Sequence, residues 1–471
     1  FVNTSGAQSD DYFSDGLTDE LAHALSRLPG IRIAGRTASY AFKGKTATAH
    51  EIGRTLDVGA YVGGTVRRAG DRLRVTTQLV STTDGKVLWD SVYESRSSDV
   101  FAVQDEFTRA IAVALAPTLD GAARRREDPS ADVARGTRDQ VAYELYLKGR
   151  YNFLLRNRTR LVRSVTFFRQ AIERDPNFAR AHAGLALAYG VWMVYFPGPV
   201  DTTSALMVPI AERAVALDST LADARFALAK AREWQLRFVD AETQYRAGLA
   251  RDPSSVTGHH WLGANLLNRG HTDEALVELR LATQLDPLAH SAAALVAGAL
   301  LEAHRFPEAA TAARHALAID STFWGSIWAL GVAQAFGGQP DSAVITLERG
   351  LQQHPGDARL ASALAFGFAA QGQWDAAERI RRQLHRPGGD ASGGLETAIA
   401  DLVLGDREPL VRQLTTVDGQ RRLMSSGSGF GCNPFLDPLG SDGRFRTAMR
   451  KLGVETCTRA RPWPLPPRPA S

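Results

Sequence analysis

Cysteine is nearly absent: the 471-residue chain carries only Cys432 and Cys457, both in its carboxy-terminal part. Two thiols without a neighbouring histidine fall short of a zinc site. They are expected to form a disulfide in an oxidising compartment, the alternative being two free thiols in a reducing one. Lysine is scarce too, confined to Lys43, Lys45, Lys86, Lys148, Lys230 and Lys451, and arginine supplies the rest of the 55 basic residues. Against 51 acidic residues the formal net charge is only +4, too weak a field over this length to imply a nucleic-acid partner. No run approaches the ~18–20 consecutive apolar residues that span a bilayer. Residues 1–20 hold neither a basic nor an apolar leader segment. The chain opens at Phe1 in what reads as the end of a β-strand, so further residues are expected upstream, where a signal peptide, lipid anchor or membrane helix could stand.

The sequence also lacks the usual sites of chemistry. Despite 42 glycines, neither G-x-x-x-x-G-K-[ST] nor a strand-linked G-x-G-x-x-G occurs, which removes the common phosphate cradles. Residues 425–431 read as a flexible loop, and Gly427-Ser428-Gly429 lacks the spacing of a nucleophile elbow. The histidines are scattered; His259 and His260 are adjacent, and neighbours on a helix point about 100° apart, so they cannot clamp one ion. Asp10, Asp11, Asp15, Asp19 and Glu20 crowd the start of a helix, where carboxylates complement its positive end. Their spacing has neither the glycine nor the closing glutamate of a calcium loop. No nucleophile, base and orienting group can be assembled, so no catalytic residue, cofactor or metal ligand is assigned.

What is abundant is repetition. Helix-ending turn signals recur at Asp175-Pro176, Asp218-Ser219, Asp252-Pro253, Asp286-Pro287, Asp320-Ser321 and His354-Pro355, the last four steps being 34 residues each. In phase with them run small residues, Ala241, Ala275, Ala309, Ala343 and Ala377, that allow close helix crossings. The apolar Leu228, Leu262, Val296, Leu330 and Leu364 keep the same phase. Helix, tight turn, helix and turn is the repeating unit. The step from Asp175 to Asp218 is 43 residues, so about nine are inserted near 195–204, read here as a lengthened inter-helix loop.

This unit, with Gly263 or Gly331 at the mid-helix contact, the second-helix alanine and the closing Asp-Pro, resembles the tetratricopeptide repeat over roughly residues 143–387. The resemblance implies a solenoid of about seven helix pairs across 140–388, with no strand inside it. It further implies that the first helix of each pair lines a concave surface. Phe226, Lys230, Trp234, His260, Trp328, Phe336, Arg359 and Phe366 fall on or near that surface, a mix of aromatics and charges suited to a bound peptide or helix. Packing of half of them against neighbouring helices is the plainer alternative. Lys148, Arg150, Arg156, Arg158, Arg160 and Arg163 make the first helix pair basic, as a solvated face or as a stripe for anionic lipid or an acidic partner.

Residues 1–119 have a different texture. Strands are expected at 31–34, 60–66, 73–80 and 86–93, and helices at 16–28, 49–57 and 99–118, an α+β layer. Phe1-Val2-Asn3, Tyr12-Phe13-Ser14-Asp15-Gly16-Leu17-Thr18, Arg36-Thr37-Ala38-Ser39, Glu51-Ile52-Gly53 and Val103-Gln104-Asp105-Glu106 together resemble the TolB amino-terminal-like (FlgO-like) domain. That domain precedes tetratricopeptide repeats in bacterial envelope proteins, often behind a membrane helix and a cytoplasmic regulator, cyclase or kinase. A polar linker is expected at 120–139, a capping region at 389–460, with helices at 394–404 and 408–415, and a proline-rich tail at 461–471. In that tail Trp463 and Leu465 are the large apolar handles, expected to dock on the last helices or on a partner.

The expected fold is thus an α+β amino-terminal domain followed by an all-α tetratricopeptide solenoid, mostly helical overall. The expected function is non-enzymatic: a periplasmic or otherwise extracytoplasmic scaffold, peripheral to a membrane, whose partners are other proteins, with possible contact to anionic lipid and none to nucleic acid. The rival reading is the sensory or effector part of a split signalling protein.

Overall fold

The structure, a computed structural model, describes residues 1–6, 10–26, 31–70, 72–96, 110, 113, 136–155, 157–196, 200–386, 393–425, 432–455 and 463–468. The amino-terminal region contains β1 (Val2–Asn3), α1 (Asp11–Ser26), α2 (Arg36–Tyr40), α3 (Ala49–Leu56), β2 (Ala60–Ala69), β3 (Arg72–Ser81) and β4 (Val87–Arg96). The strands lie in the order β1-β2-β3-β4, with β1 parallel to β2 and the rest antiparallel. Strand β3 shows why a sheet forms here: Leu73, Val75, Thr77 and Leu79 are buried while Arg72, Arg74 and Gln78 face solvent, the period-two pattern of a half-covered sheet. Helix α3 starts in a capping box, Thr48 with Glu51.

The strand expected at 31–34 does not form: these residues make no ladder, and they run instead into α2, which the sequence reading did not anticipate. The reason lies far along the chain. The Gly35 N–H donates to Leu285 O at 2.6 Å, and the first turn of α2 is capped by Asp286 rather than paired to a strand. The expected helix at 99–118 lies outside the described residues, apart from Ala110 and Val113.

From Gln140 onward the chain is an array of antiparallel helix pairs, with no strand among the described residues. The pairs are α4 (Gln140–Leu154) with α5 (Arg158–Arg174), α6 (Ala179–Tyr195) with α7 (Val200–Leu217), and α8 (Ala222–Trp234) with α9 (Phe238–Leu249). Next come α10 (Val256–Arg269) with α11 (Thr272–Leu285) and α12 (His290–Glu302) with α13 (Phe306–Ile319). The array goes on through α14 (Trp324–Phe336) with α15 (Pro340–Gln353), α16 (Ala358–Ala370) with α17 (Trp374–Leu384), and α18 (Gly393–Val403) with α19 (Glu408–Leu414). After it stand α20 (Val417–Ser425), a 3-10 helix (Pro434–Leu439) and α21 (Gly443–Lys451).

The repeat marks acquire causes here. Each acidic mark is an Asx turn: the carboxylates of Asp175, Asp218, Asp252, Asp286 and Asp320 accept the N–H two residues on. Ala241, Ala275, Ala309, Ala343 and Ala377 are fully buried at helix crossings. A Cβ at Gly263 would lie 2.6 Å from Leu279 and one at Gly331 2.5 Å from Leu347, the same close approach two repeats apart. The nine-residue insertion is not chiefly a loop. Helices α6 and α7 are 17 and 18 residues long where α8 and α9 have 13 and 12, because the apolar run through Val191, Trp192 and Met193 continues the helix, and Trp192 stacks on Phe196 at 4.1 Å. Residues 197–199 lie outside the described set.

The tight turns between the two helices of a pair, readable at Gly270 and Gly338, share one geometry that the sequence did not show. Leu236, Gly270, His304, Gly338 and Gly372 turn each first helix into its second with φ of 61°, 82°, 57°, 78° and 77°, at the 34-residue phase. First helices of neighbouring pairs pack on one another from α12 to α18, whereas successive second helices are held apart, so the first helices form the inner side of the array. At its start α1 packs on α4, with Gly16 against Leu147.

Candidate functional site: the inner face and the carboxy-terminal segment held on it

All eight residues expected on the concave surface lie on first helices: Phe226, Lys230 and Trp234 on α8, His260 on α10, Trp328 and Phe336 on α14, Arg359 and Phe366 on α16. Their exposure divides them. Phe226, Trp234, Phe336 and Phe366 are buried, so they are not open to a partner; Lys230, His260, Trp328 and Arg359 are half-buried. Phe226 is core between repeats, where Gly248 and Gly258 make room for its ring. Lys230 pairs with the buried Glu233 at 2.6 Å, whose other oxygen accepts from Asn265 at 3.1 Å. The Arg359 guanidinium lies over the Trp324 ring at 3.5 Å and binds Asp357, which that charge and two N–H donors hold below the usual carboxylate range against the opposing effect of burial.

What covers the inner face is the chain itself. The 3-10 helix sets Phe435 against Trp328, Phe336 and Phe366, with ring centroids 6.3, 5.4 and 5.4 Å away. Below it runs a stack, Phe306 to Phe336 at 5.5 Å and Phe336 to Phe366 at 4.4 Å. Trp463 closes the row edge-on, 5.2 Å from Phe366 and 6.3 Å from Phe435, and its Nε1–H donates to Pro434 O at 3.0 Å. Leu465 is half-buried in the same place, and Arg468 donates to Leu404 O at 2.9 Å.

The carboxy-terminal segment follows the row of left-handed turns. The Arg421 Nε–H donates to Trp234 O at 2.9 Å, and the Glu455 N–H to Arg269 O at 2.9 Å. A Cβ on Gly270 would collide with Glu455 O, so glycine is required there twice over. His304 Nε2 meets Asp437 Oδ2 at 2.9 Å, and Pro466 lies beside Gly372. Cys432 is buried and disulfide-bonded, its Sγ 3.8 Å from Gly270 O; Cys457 lies outside the described residues.

The acidic residues of α1 are not simply a solvated helix start. Asp15 binds Lys43, Asp19 binds Arg36 at 2.8 Å, and Glu20 binds Arg180 of α6 at 2.5 Å, tying the amino-terminal region to the array. Burial pushes the Asp15 carboxyl up, with Lys43 opposing. On the other flank Asp286 accepts the N–H groups of Thr37 at 2.9 Å and Ala38 at 3.0 Å. Burial raises its carboxyl as well.

The basic residues of the first pair do not form one stripe. Lys148 lies over the Tyr12 ring at 4.9 Å and Arg150 reaches Asp223 at 3.5 Å, both turned toward neighbouring elements. Arg158, Arg160 and Arg163 sit on α5, a different helix of the antiparallel pair, with Arg158 over Phe196 and Arg160 over Tyr151. Arg156 lies outside the described residues. Sequence reading missed Gly35, Asp286, His304, Phe435 and Asp437 as contact residues, because their partners are 133 to 251 positions away or unmarked by any period. Among the described residues no cluster of three or more His, Cys, Asp or Glu is arranged to hold a metal, and no helix is long and apolar enough to cross a membrane.

A profile of the tetratricopeptide repeat matches residues 300–366. A Rhizobium meliloti (strain 1021) protein provisionally named adenylate cyclase 3 is 32% identical over 243 residues, 51% of this chain and 40% of that protein. The chain thus spans about two fifths of the curated relative's length. Among solved structures, the Cut9 and Hcn1 complex of the APC/C is similar with a TM-score of 0.44 at 13% identity, covering 68% of this chain and 58% of that one. Pseudomonas aeruginosa PilF is similar at 0.38 and 19%, covering 48% and 96%. The carboxy-terminal part of the chain is a tetratricopeptide-repeat array, a fold used for protein interaction.

Proposed function

We propose that this chain is a non-enzymatic protein-binding scaffold, a membrane-extrinsic, extracytoplasmic subunit that docks on and stabilises a larger envelope or membrane complex. The observation that carries this reading is that part of the inner face of the array already holds a polypeptide: residues 434–439 and 463–468 lie on α14 and α16 through aromatic contacts and a tryptophan hydrogen bond. Trp328 and Arg359 are half-buried on the same face and left as the accessible anchors. The buried disulfide at Cys432 fits an oxidising compartment. In this reading residues 1–119 are a TolB-like domain that closes the start of the array, and any contact with anionic lipid falls to Arg158, Arg160 and Arg163.

One observation favours a second reading, the effector half of a signalling protein: the relative that shares half of this chain bears a cyclase name. Cross-linking in native membranes followed by affinity purification and mass spectrometry separates the two. The scaffold reading expects one membrane assembly to be recovered by the wild type and lost from Trp328→Ala and Arg359→Ala. Recovery of a nucleotide cyclase or other regulator favours the second reading, and absence of any partner sensitive to those substitutions overturns the first.

A further inference from the structure

We propose that the seat now filled by Trp463 is a peptide-binding site for extended, proline-rich protein segments that carry a tryptophan, and that the chain's own residues 463–468 are a removable occupant of it. The proposal rests on the reading of the array as a protein-binding surface and adds to it the chemistry of the ligand.

The occupant defines that chemistry. Trp463-Pro464-Leu465-Pro466-Pro467-Arg468 has proline at half its positions, so it has few backbone donors and cannot join a helix or a strand ladder. Its hold on the array uses side chains: the Trp463 ring against Phe366 and Phe435, the indole N–H on Pro434 O, and the Arg468 guanidinium on Leu404 O. The Leu465 N–H turns back to Trp463 O at 2.8 Å, within the segment itself. The segment thus bends at Pro464, and what the array meets is an aromatic-lined seat with one carbonyl acceptor holding a donor-poor, proline-rich segment, the same chemistry by which aromatic grooves recognise proline-rich ligands.

The seat is built from elements other than its occupant. Phe366 is fully buried on α16 in the stack with Phe336. Phe435 is fixed by the cap of its 3-10 helix, where Asn433 accepts the Phe435 N–H at 3.0 Å, and by the pair of Asp437 with His304. Pro466 lies beside Gly372, which is in its left-handed turn. By contrast Trp463 and Leu465 are only half-buried, and Pro464, Pro467 and Arg468 are exposed, so the segment lies on the seat without being folded into the core. Its departure leaves the Phe366 edge and the Pro434 carbonyl open to a competing tryptophan. The terminal arginine on Leu404 O selects for a basic residue after the prolines.

The test uses the full-length chain with Trp463→Ala and Leu465→Ala together, and a fluorescent synthetic peptide of the sequence Trp-Pro-Leu-Pro-Pro-Arg read by anisotropy. The double variant is expected to bind the peptide at least tenfold more tightly than the wild type, and a peptide with alanine for tryptophan is expected to bind neither. Equal binding by both proteins, or none by a variant whose circular dichroism and melting are unchanged, overturns the proposal. Should the variant fail to fold, the wild type still decides: saturating peptide is expected to speed deuterium exchange at the Leu465 and Arg468 amides, and no change counts against a removable occupant. A tryptophan-dependent dimer of the wild type, formed by exchanged tails, would reassign the seat to a second copy and sink the proposal as stated. A failed peptide assay beside a variant-sensitive membrane partner leaves the scaffold reading standing and removes only this inference.

Discussion

Gly35 and Asp286 are packed so closely that a Cβ on the glycine would fall inside the aspartate side chain. This contact, joining residues 251 positions apart in numbering, lets Asp286 serve two structures at once. Within its repeat the carboxylate closes the Asx turn onto Leu288 N–H; toward the amino-terminal region it caps α2.

Gly35→Ala should therefore undock α2 without unfolding the array. The expected readout is faster deuterium exchange in residues 35–43 with little change in α14 to α17. Asp286→Asn keeps one acceptor but turns an amide N–H toward a buried donor, which costs about 1–3 kcal/mol. Acid alone should not break the contact. Burial raises this carboxyl in the folded state, so folding favours its protonated form and the contribution of Asp286 to stability grows, not falls, as pH drops through that raised value. Exchange in residues 35–43 that accelerates between neutral pH and pH 4.5 while the array stays folded would contradict this.

The left-handed turns give a paired prediction. At Gly338 an added Cβ meets open space, so Gly338→Ala carries only the conformational cost of the left-handed backbone, about 1 kcal/mol. At Gly270 the same change adds a collision with Glu455 O. Gly270→Ala should lower the melting temperature clearly more than Gly338→Ala. Equal losses would mean that the segment near Glu455 does not rest on the α10–α11 turn.

How much of this was legible depends on distance along the chain. The helix pairs were, because Ala241, Ala275 and Ala309 and the Asp-Pro marks obey a period set by one helix crossing repeated. The inner-face residues were legible as to helix but not as to exposure: Phe226 and Phe366 sit on the expected helices, yet whether a residue faces the groove or the next repeat is a matter of tens of degrees around the axis. The turns at Gly270 and Gly338 were legible as glycine turns, but their 34-residue recurrence was not, because Leu236 and His304 hold the same left-handed backbone in place of glycine. Phe435 falls within the expected capping region, and nothing local in Pro434-Phe435-Leu436 says that its ring completes a stack begun at Phe306.

Histidine at equivalent places in two repeats should respond to pH in opposite directions. His259 Nδ1 lies 2.6 Å from Glu278 Oε2 and its Nε2 lies 2.9 Å from Pro253 O, so only the imidazolium satisfies both acceptors. Burial works against the charge, but Glu278 and the carbonyl outweigh it and the pKa is raised. Its stabilisation is then complete below the unfolded value of ~6.5 and lost as pH rises through the folded one. His182 meets Pro176 O at 3.0 Å without such a carboxylate, and burial lowers its pKa, so its contribution is lost as pH falls. The melting-temperature gap between wild type and His259→Gln should shrink from pH 6 to pH 9, and that for His182→Gln should shrink toward pH 5. Parallel trends would refute the assignment.

The last prediction concerns what clamps the carboxy-terminal segment onto the array. Cys432 is disulfide-bonded and buried beside Gly270 O, and Glu455, two residues before the other cysteine, donates its N–H to Arg269 O. Both flanks thus converge on one turn, which supports a Cys432–Cys457 bond. Such a bond closes a loop of 25 residues, worth roughly 3 kcal/mol on the chain-entropy estimate. Replacing both cysteines by serine should therefore lower the melting temperature and loosen 434–439, the segment that carries Phe435, before it affects α4 to α9. Deuterium exchange resolved by region measures the second effect. A non-reducing peptide map tests the bond itself: free thiols at both positions in protein purified without reductant would remove the clamp, and the aromatic contacts of Phe435 would have to hold the segment alone.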